Sequence, residues 1–330
     1  MMKKVLSITA STLIVAGSVS APAQAEDVFS RLSVRAAGHY DQATNERGAF
    51  ATRNTVVAAP GAVGETFFVE PDYEWDYTLG LEYMLPNSDN SSLLFDYDHY
   101  NASDNKRVTG PAAGAGQLAS VLNAGIPNPL QVDGDLNVKD HTFRLGARRV
   151  LDFGDRFDVQ LGGYGEYSKV ERHHTIIEVA AAGASRSYRA NDESNGWGPS
   201  FDMYGRWYPM GRHSCYSVLA GVEAAFLYGD SVHNVRVTDE TGAFPAGANT
   251  LNNENRADLN HVFTRLGSTV ALTYARPVND SWKFGLRAGA RWINYANAFK
   301  NASGLSAGRT DYGRWGPFLE VRVGGVDSPM

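Results

Sequence analysis

Eleven consecutive residues, from Tyr73 to Tyr83, read Tyr-Glu-Trp-Asp-Tyr-Thr-Leu-Gly-Leu-Glu-Tyr. Every odd position is large and apolar or aromatic, and every even position is charged, hydroxylic or glycine. Successive side chains of a β-strand point to opposite faces, so this stretch has one greasy face and one polar face. A strand of a soluble sandwich alternates in the same way but commonly stops at about five or six residues. A tilted strand that crosses a bilayer needs about nine to eleven.

The same alternation returns along the chain. Leu32, Val34 and Tyr40 stand opposite Ser33, Arg35 and His39, and Leu93, Phe95 and Tyr97 alternate with Leu94, Asp96 and Asp98. Phe143, Leu145 and Ala147 alternate with Arg144, Gly146 and Arg148, and Phe157 through Tyr167 with Asp158, Gln160 and Glu166. Further runs begin at Trp197, Tyr216, Leu266, Trp282 and Trp315, which makes ten predicted strands. An even number suits a single-chain bacterial outer-membrane barrel. Short segments rich in Pro, Gly, Asn or Asp separate alternate pairs: Pro86–Asn90, Gly154–Arg156, Pro209–His213 and Pro277–Ser281. Long connections are expected near 42–70, 102–135, 173–192, 230–257 and 298–310. Short periplasmic turns and long external loops define the outer-membrane arrangement, with both termini periplasmic. The predicted fold is therefore all-β, a transmembrane antiparallel up-and-down barrel of about ten strands.

A mean hydropathy of −0.31 and 20% charged residues fit this reading, because only alternate residues of such a strand meet lipid. The net charge of −6 argues against a nucleic-acid binder, which carries a basic surplus for phosphate. Lys3 and Lys4 precede an apolar stretch from Val5 to Val19, and Ala23-Gln24-Ala25 places small residues where a signal peptidase reads. Residues 1–25 are expected to be a secretory signal peptide cleaved between Ala25 and Glu26, leaving 26–330 as one barrel domain. Cys215 has no second cysteine to pair with and reads as a half-buried strand residue. Val108 to Val132 carries no charge, but Pro111, Pro127, Pro129 and four glycines interrupt any helix. It is expected to be an external loop with one helical turn near Gln117–Leu122. Val57–Val63, Val179–Ser185 and Ala243–Leu251 share its small-residue character.

Aromatic residues fall at predicted strand ends, with Tyr73, Trp75 and Tyr77 toward one rim and Tyr83, Phe157, Trp207, Tyr216, Tyr274 and Trp282 toward the other. Amphipathic rings suit headgroup depth, so Trp75, Tyr77, Tyr83, Trp207, Tyr216, Tyr274 and Trp282 are expected to form girdles. No predicted strand shows a polar outward stripe that would mark a subunit interface.

Three stretches carry a family resemblance: Tyr73 to Tyr83, Trp197-Gly198-Pro199-Ser200-Phe201-Asp202 running to Arg206-Trp207, and Ala224-Ala225-Phe226-Leu227-Tyr228-Gly229. Trp-Gly-Pro returns at Trp315-Gly316-Pro317. In this order the motifs resemble the Legionella-type major outer membrane protein family. The resemblance covers most of the mature chain and implies a pore-forming outer-membrane barrel. Its expected partners are outer-membrane lipid and lipopolysaccharide, the barrel-assembly machinery and small polar solutes. Many outer-membrane barrels end in an aromatic residue that the assembly machinery reads, whereas this chain ends Val326-Asp327-Ser328-Pro329-Met330.

The inward residues divide by sign. The acids are Glu74, Asp76, Glu82, Asp96, Asp98, Asp140, Asp158, Glu166, Asp202, Glu223 and Glu320; the bases are Arg35, Arg144, Arg148, Arg206, Arg265, Lys283, Arg287, Arg291, Arg314 and Arg322. An acidic wall on the second and third strands (Glu74, Asp76, Glu82, Asp96, Asp98) is expected to face a basic wall on the last three and the first (Arg35, Arg265, Lys283, Arg287, Arg291, Arg314, Arg322). In a narrow barrel such charges either bridge and plug the lumen or line a hydrated slot with a transverse field. The resemblance favours a narrow pore of small conductance. A closed barrel serving as adhesin or receptor through its loops is the alternative. An enzyme is less favoured: His99 falls on the face opposite Asp96 and Asp98, Asp230 and His233 differ in parity, and His173-His174 reads as the start of a loop. No HExxH or phosphate-binding glycine loop occurs, and no cofactor or metal is implied.

Overall fold

A computed structural model describes residues 28–44, 48–54, 65–86, 88, 90–110, 117–120, 129–180, 183, 185–241, 254–300 and 309–325. The signal peptide, its cleavage point, the segments 57–63 and 243–251, and the C-terminal Val326–Met330 lie outside the described residues.

Each predicted alternating run lies within a strand, save that Tyr73 stands just before β4, and the ten barrel strands join by antiparallel pairing into a closed cylinder. They are β1 (Leu32–Thr44), β4 (Glu74–Met84), β5 (Ser91–Thr109), β7 (Gln131–Asp152), β8 (Phe157–Val179), β9 (Ser185–Trp207), β10 (Tyr216–Thr241), β11 (Glu254–Pro277), β12 (Trp282–Lys300) and β13 (Arg309–Gly325). Every barrel strand pairs with its predecessor, and β1 closes the ring between β13 and β4. Closure leaves no open edge, which is the condition for a sheet to cross a bilayer. Short turns close one end of the barrel. In two of them Gly154 and Gly211 hold φ of 78° and 83°, a region that favours glycine. Cys215 sits in the turn before β10 rather than in the strand.

At the other end the strands run far past the expected boundaries. β8 and β9 each have 23 residues and β10 has 26, roughly twice the nine to eleven that span a bilayer. The expected long connection at 173–192 is instead a hairpin whose strands end at Val179 and resume at Ser185, and His173-His174 sits inside β8. Most of 102–109 and 131–135 is likewise strand. The reason is a change of phase. Between the aromatic rims the apolar side chains point outward, as with Leu93, Phe95, Phe143 and Leu145, all at least 40% exposed. Beyond the rim the same strands turn their apolar side chains inward. Tyr100, Ala102, Leu136, Val138, Val170 and Ile176 are at most 1% exposed, while Asn101, Ser103, Asn137, Lys139, Lys169 and Glu171 point out. In β5, β7 and β8 the period of two is unbroken and only the polarity of the faces inverts, whereas β12 is irregular between Tyr295 and Phe299, where Ala298 and Phe299 are both buried. We call the two zones the belt and the collar.

The collar is capped by a small sheet formed from the connections, in the order β3 (Glu65–Val69), β2 (Gly48–Asn54), β6 (Gln117–Ser120). β6 replaces the helical turn expected near Gln117–Leu122. Leu118, Ala51 and Val69 are buried in the collar core with Val108, Val132 and Leu136. An apolar extended segment offered both a sheet partner in β2 and an apolar mouth to cover takes up the strand.

Candidate functional site in the barrel lumen

Ring closure places the charged arcs. Since β1 lies between β13 and β4, the basic arc on β11, β12, β13 and β1 adjoins the acidic arc on β4 and β5 at the β1–β4 seam. The expected face-to-face walls are therefore side by side, and long arginine side chains reach across the intervening strands to the carboxylates. Arg35 on β1 shows how. In register it stands beside Gly80 of β4, which stands beside Asp96 of β5. Gly80 has no side chain in the way, so the Arg35 guanidinium passes over it and Nε donates to Asp96 at 3.0 Å. At Gly221 the missing side chain likewise makes room for the flat Tyr204 ring, whose hydroxyl bonds Glu223.

From the short-turn end upward the lumen is filled by successive ion-pair levels. Arg322 reaches Glu82 at 3.3 Å and Glu320 at 3.5 Å, and Arg148 reaches Asp202 at 2.9 Å, with Tyr164 also donating to Asp202. At the waist Arg144 joins Asp96 (3.3 Å) and Glu223 (2.8 Å), Arg265 joins Glu223 (2.9 Å) and Glu166 (2.8 Å), and Arg287 joins Glu320 (3.3 Å). Above them Arg314, completely buried, gathers Asp41 (3.1 Å), Asp76 (2.8 Å), Asp98 (2.7 Å) and Asp140 (3.1 Å). Arg291 shares Asp98 at 3.0 Å and Asp41 at 3.4 Å. Carboxylates and guanidiniums of this burial persist only when paired, and the geometry meets that demand.

An aromatic level closes the top of this column. Tyr295 and Tyr312 stack at 5.7 Å, the Tyr312 hydroxyl donates to Asp140 at 3.2 Å, and Arg314 lies over the Tyr100 ring at 4.9 Å. Phe263 and Phe299 complete the layer beneath the apolar collar core.

The remaining predicted residues are placed as follows. Glu74 stands at the mouth, in register with Asp41, and Lys283 near the short-turn end, in register with Gly324. Asp158 accepts from the Tyr208 hydroxyl at 2.7 Å, and Arg206 lies within 3.4 Å of that hydroxyl. Trp75, Tyr77, Trp207, Tyr216 and Trp282 project outward at 42–72% exposure. Tyr83 and Tyr274 are partly covered, the latter by Tyr216 at 5.2 Å. Trp197, Tyr228 and Trp315 add to the collar-side rim. The sequence reading missed Asp41, although it continues the inward series Arg35, Ala37, His39. Of the tyrosines that fill the lumen, Tyr204 continues the inward series of Ser200 and Asp202, but Tyr100, Tyr164, Tyr295 and Tyr312 were missed, because an inward tyrosine looks like a break in the alternation.

The histidines weighed for catalysis are placed as follows. His99 stacks on Tyr77 on the outer face, with Nδ1 at 3.1 Å from Asp76. His173 faces outward to Asn191 at 2.8 Å. Asp230 is exposed, while His233 points inward and bonds Asp192, which also accepts from Arg172 at 2.8 Å. Within the collar, burial draws the His174 ring down to about 4, with Arg172 adding to the effect. For Asp192, burial pulls upward, but His233 and Arg172 outweigh it and hold the carboxyl below its ordinary value. Among the described residues no group of three or more His, Cys, Asp or Glu is arranged to hold a metal ion.

Among solved structures, the outer membrane protease OmpT of Escherichia coli aligns with TM-score 0.45 at 8% identity, over 90% of this chain and 97% of that one. A FadL homologue of Pseudomonas aeruginosa aligns with TM-score 0.37 at 10% identity, over 90% of each chain. Ail, the attachment invasion locus protein of Yersinia pestis, aligns with TM-score 0.25 at 9% identity, over 88% of this chain and 99% of that one. No curated protein sequence matches. The family model of the Legionella pneumophila major outer membrane protein precursor matches residues 30–325. The chain belongs to that family, and it is a ten-stranded β-barrel of the Gram-negative outer membrane.

Proposed function

We propose that the protein is a pore of small conductance for ions and small polar solutes, closed in the arrangement described above. The observation that supports this reading is the sharing of partners in the lumen. Arg35, Arg144, Arg265, Arg291 and Arg314 each lie within 4 Å of two or more carboxylates. Arg35, Arg144 and Arg291 can each leave either partner without stranding it, because Asp96, Glu320, Glu223, Asp98 and Asp41 each have a second arginine, so a passage can open by exchange of pairs. A barrel serving only as an anchor requires one partner for each inward charge, and the sharing of several partners goes beyond that requirement. In this proposal the short turns and both termini face the periplasm and the collar faces outward. Lipopolysaccharide surrounds the outer rim, and the assembly machinery inserts the barrel.

Planar-bilayer recording with the purified mature protein tests the reading. We expect small discrete steps, made longer-lived by removing the aromatic level in Tyr295→Ser/Tyr312→Ser. The absence of steps at every voltage in both proteins overturns it.

A second reading, a closed barrel whose external surface binds a partner, is favoured by the collar, which raises a polar outward face beyond the belt. Deleting residues 111–128 separates the two. Loss of cell attachment with conductance intact supports the binding surface, and loss of neither activity removes that segment from it.

A further inference from the structure

The waist of the lumen holds a cavity of about 50 Å³ bounded by side chains from every barrel strand except β5. Five arginines line it (Arg35, Arg144, Arg148, Arg287 and Arg291) against two carboxylates, Glu223 and Glu320. Both carboxylates are already engaged. Glu223 accepts from Arg144, Arg265 and Tyr204, and Glu320 faces Arg35, Arg287 and Arg322. Asp96 and Asp202, which answer Arg35, Arg144 and Arg148, do not line the cavity and are buried behind it. Guanidinium is therefore the charge in excess on the cavity lining, five against two carboxylates. Among the described residues the buried Nε–H groups of Arg148, Arg287 and Arg291 have no acceptor. Buried donors of this kind are satisfied by water or by a ligand that accepts hydrogen bonds.

We infer that the waist cavity binds one small monovalent inorganic anion, of the size of chloride or bromide. A single water needs roughly 10–15 Å³ of such space, so the cavity accommodates an anion with a little water. A charge in a low-dielectric setting is attracted by guanidinium groups more strongly than it would be at the same distances in water. Thr78 donates to Asp98, so the His39 Nε2–H donates to Thr78.

The binding site stands whether or not current flows, although any effect on ion preference rests on the pore reading. The test uses the full mature protein in detergent. Crystals soaked in sodium bromide are expected to give an anomalous peak in the cavity beside Arg287 and Arg291. In solution the unfolding midpoint is expected to be higher in sodium chloride or bromide than in sodium gluconate at equal ionic strength, because gluconate is too large to enter. That gain is expected to disappear in Arg287→Gln and in Arg291→Gln. Bromide at surface positions with none in the cavity, or a halide gain unchanged in both variants, overturns the inference. Where a variant fails to fold, diffraction from the unaltered protein decides. A barrel that never conducts yet holds bromide removes the pore reading and keeps the site, and a conducting barrel without bromide does the reverse.

Discussion

The belt and the collar are built from the same strands with the same period, yet they bury opposite chemistry. In the belt, Leu145 is 65% exposed on the outer face and Arg144 lies inside. Nine residues earlier on the same strand, Leu136 is 1% exposed inside and Asn137 points out. A lipid surround takes the apolar face from the belt, so its interior must be polar and internally paired. Water around the collar takes the polar face instead, and the collar then packs like a soluble protein, around the cluster of Tyr100, Val138, Val170 and Phe299. The solvent outside decides what fills the inside.

Charge placed at mirror positions breaks this comparison most directly. Leu136→Arg buries an unpaired cation in the collar core, at a cost on the order of 4 kcal/mol or more. It is expected to open the collar to limited proteolysis while the belt keeps its heat-modifiable mobility on gels. Leu145→Arg sets the same charge against lipid at about 2–4 kcal/mol and is expected to lower refolding into vesicles instead. Identical behaviour of the two variants would mean that the zones are not distinct. Within the belt, Arg314→Met leaves Asp41, Asp76, Asp98 and Asp140 short of their shared cation, a loss of about 3–5 kcal/mol readable as a lower unfolding temperature. Asp41→Asn is expected to cost far less, because three carboxylates still hold Arg314.

The same contrast explains what could be read in the sequence. The belt was legible strand by strand, since an apolar face toward lipid and a charged face toward the lumen give the strongest alternation a sequence can carry. The collar was not. From Lys169 onward β8 still alternates, but Lys169, Glu171 and His173 now face out and Val170 and Ile176 face in, with Arg172 and His174 among them. A reading fixed to one phase sees the pattern end and reports a loop. The inward charges Arg35, Asp96, Arg314 and Glu320 were visible as residues, but their pairing was not, because it depends on which strands adjoin at closure and on glycines such as Gly80 that let a side chain cross.

Acid separates the zones more gently. His174 is held neutral in the folded collar, with its value drawn from 6.5 down to about 4. The unfolded chain therefore binds more protons below about pH 6.5, so this contribution to stability is complete above that pH and is lost as the pH falls toward 4. Its size is on the order of 3 kcal/mol. Asp192, held below the ordinary carboxylate range, adds a loss of the same sign at lower pH. Collar proteolysis is expected to accelerate between pH 6.5 and 4 and to lose that dependence in His174→Gln. A rate flat across this window would place the controlling opening elsewhere.

The smallest effect concerns the device that lets belt charges cross a strand. A methyl group at Gly80 would overlap the Arg35 side chain and Asp96. The overlap falls on side chains and not on backbone, so Gly80→Ala is expected to shift the buried Arg35–Asp96 pair at a cost of about 1–3 kcal/mol, typical of overpacking, and not to unfold the barrel. Gly196, in β9 where the belt meets the collar, has ring atoms of Phe263 at 3.0 Å and backbone at 3.2 Å from such a methyl, and its alanine variant should cost less. If Gly80 is small so that Arg35 can reach Asp96, then Gly80→Ala already weakens the pair that Asp96→Asn removes. The double variant is expected to be less destabilised than the two single losses together, which unfolding midpoints of the four proteins measure. Strict additivity would show that the glycine serves only the backbone of β4, and that the crossing of the arginine is incidental to it.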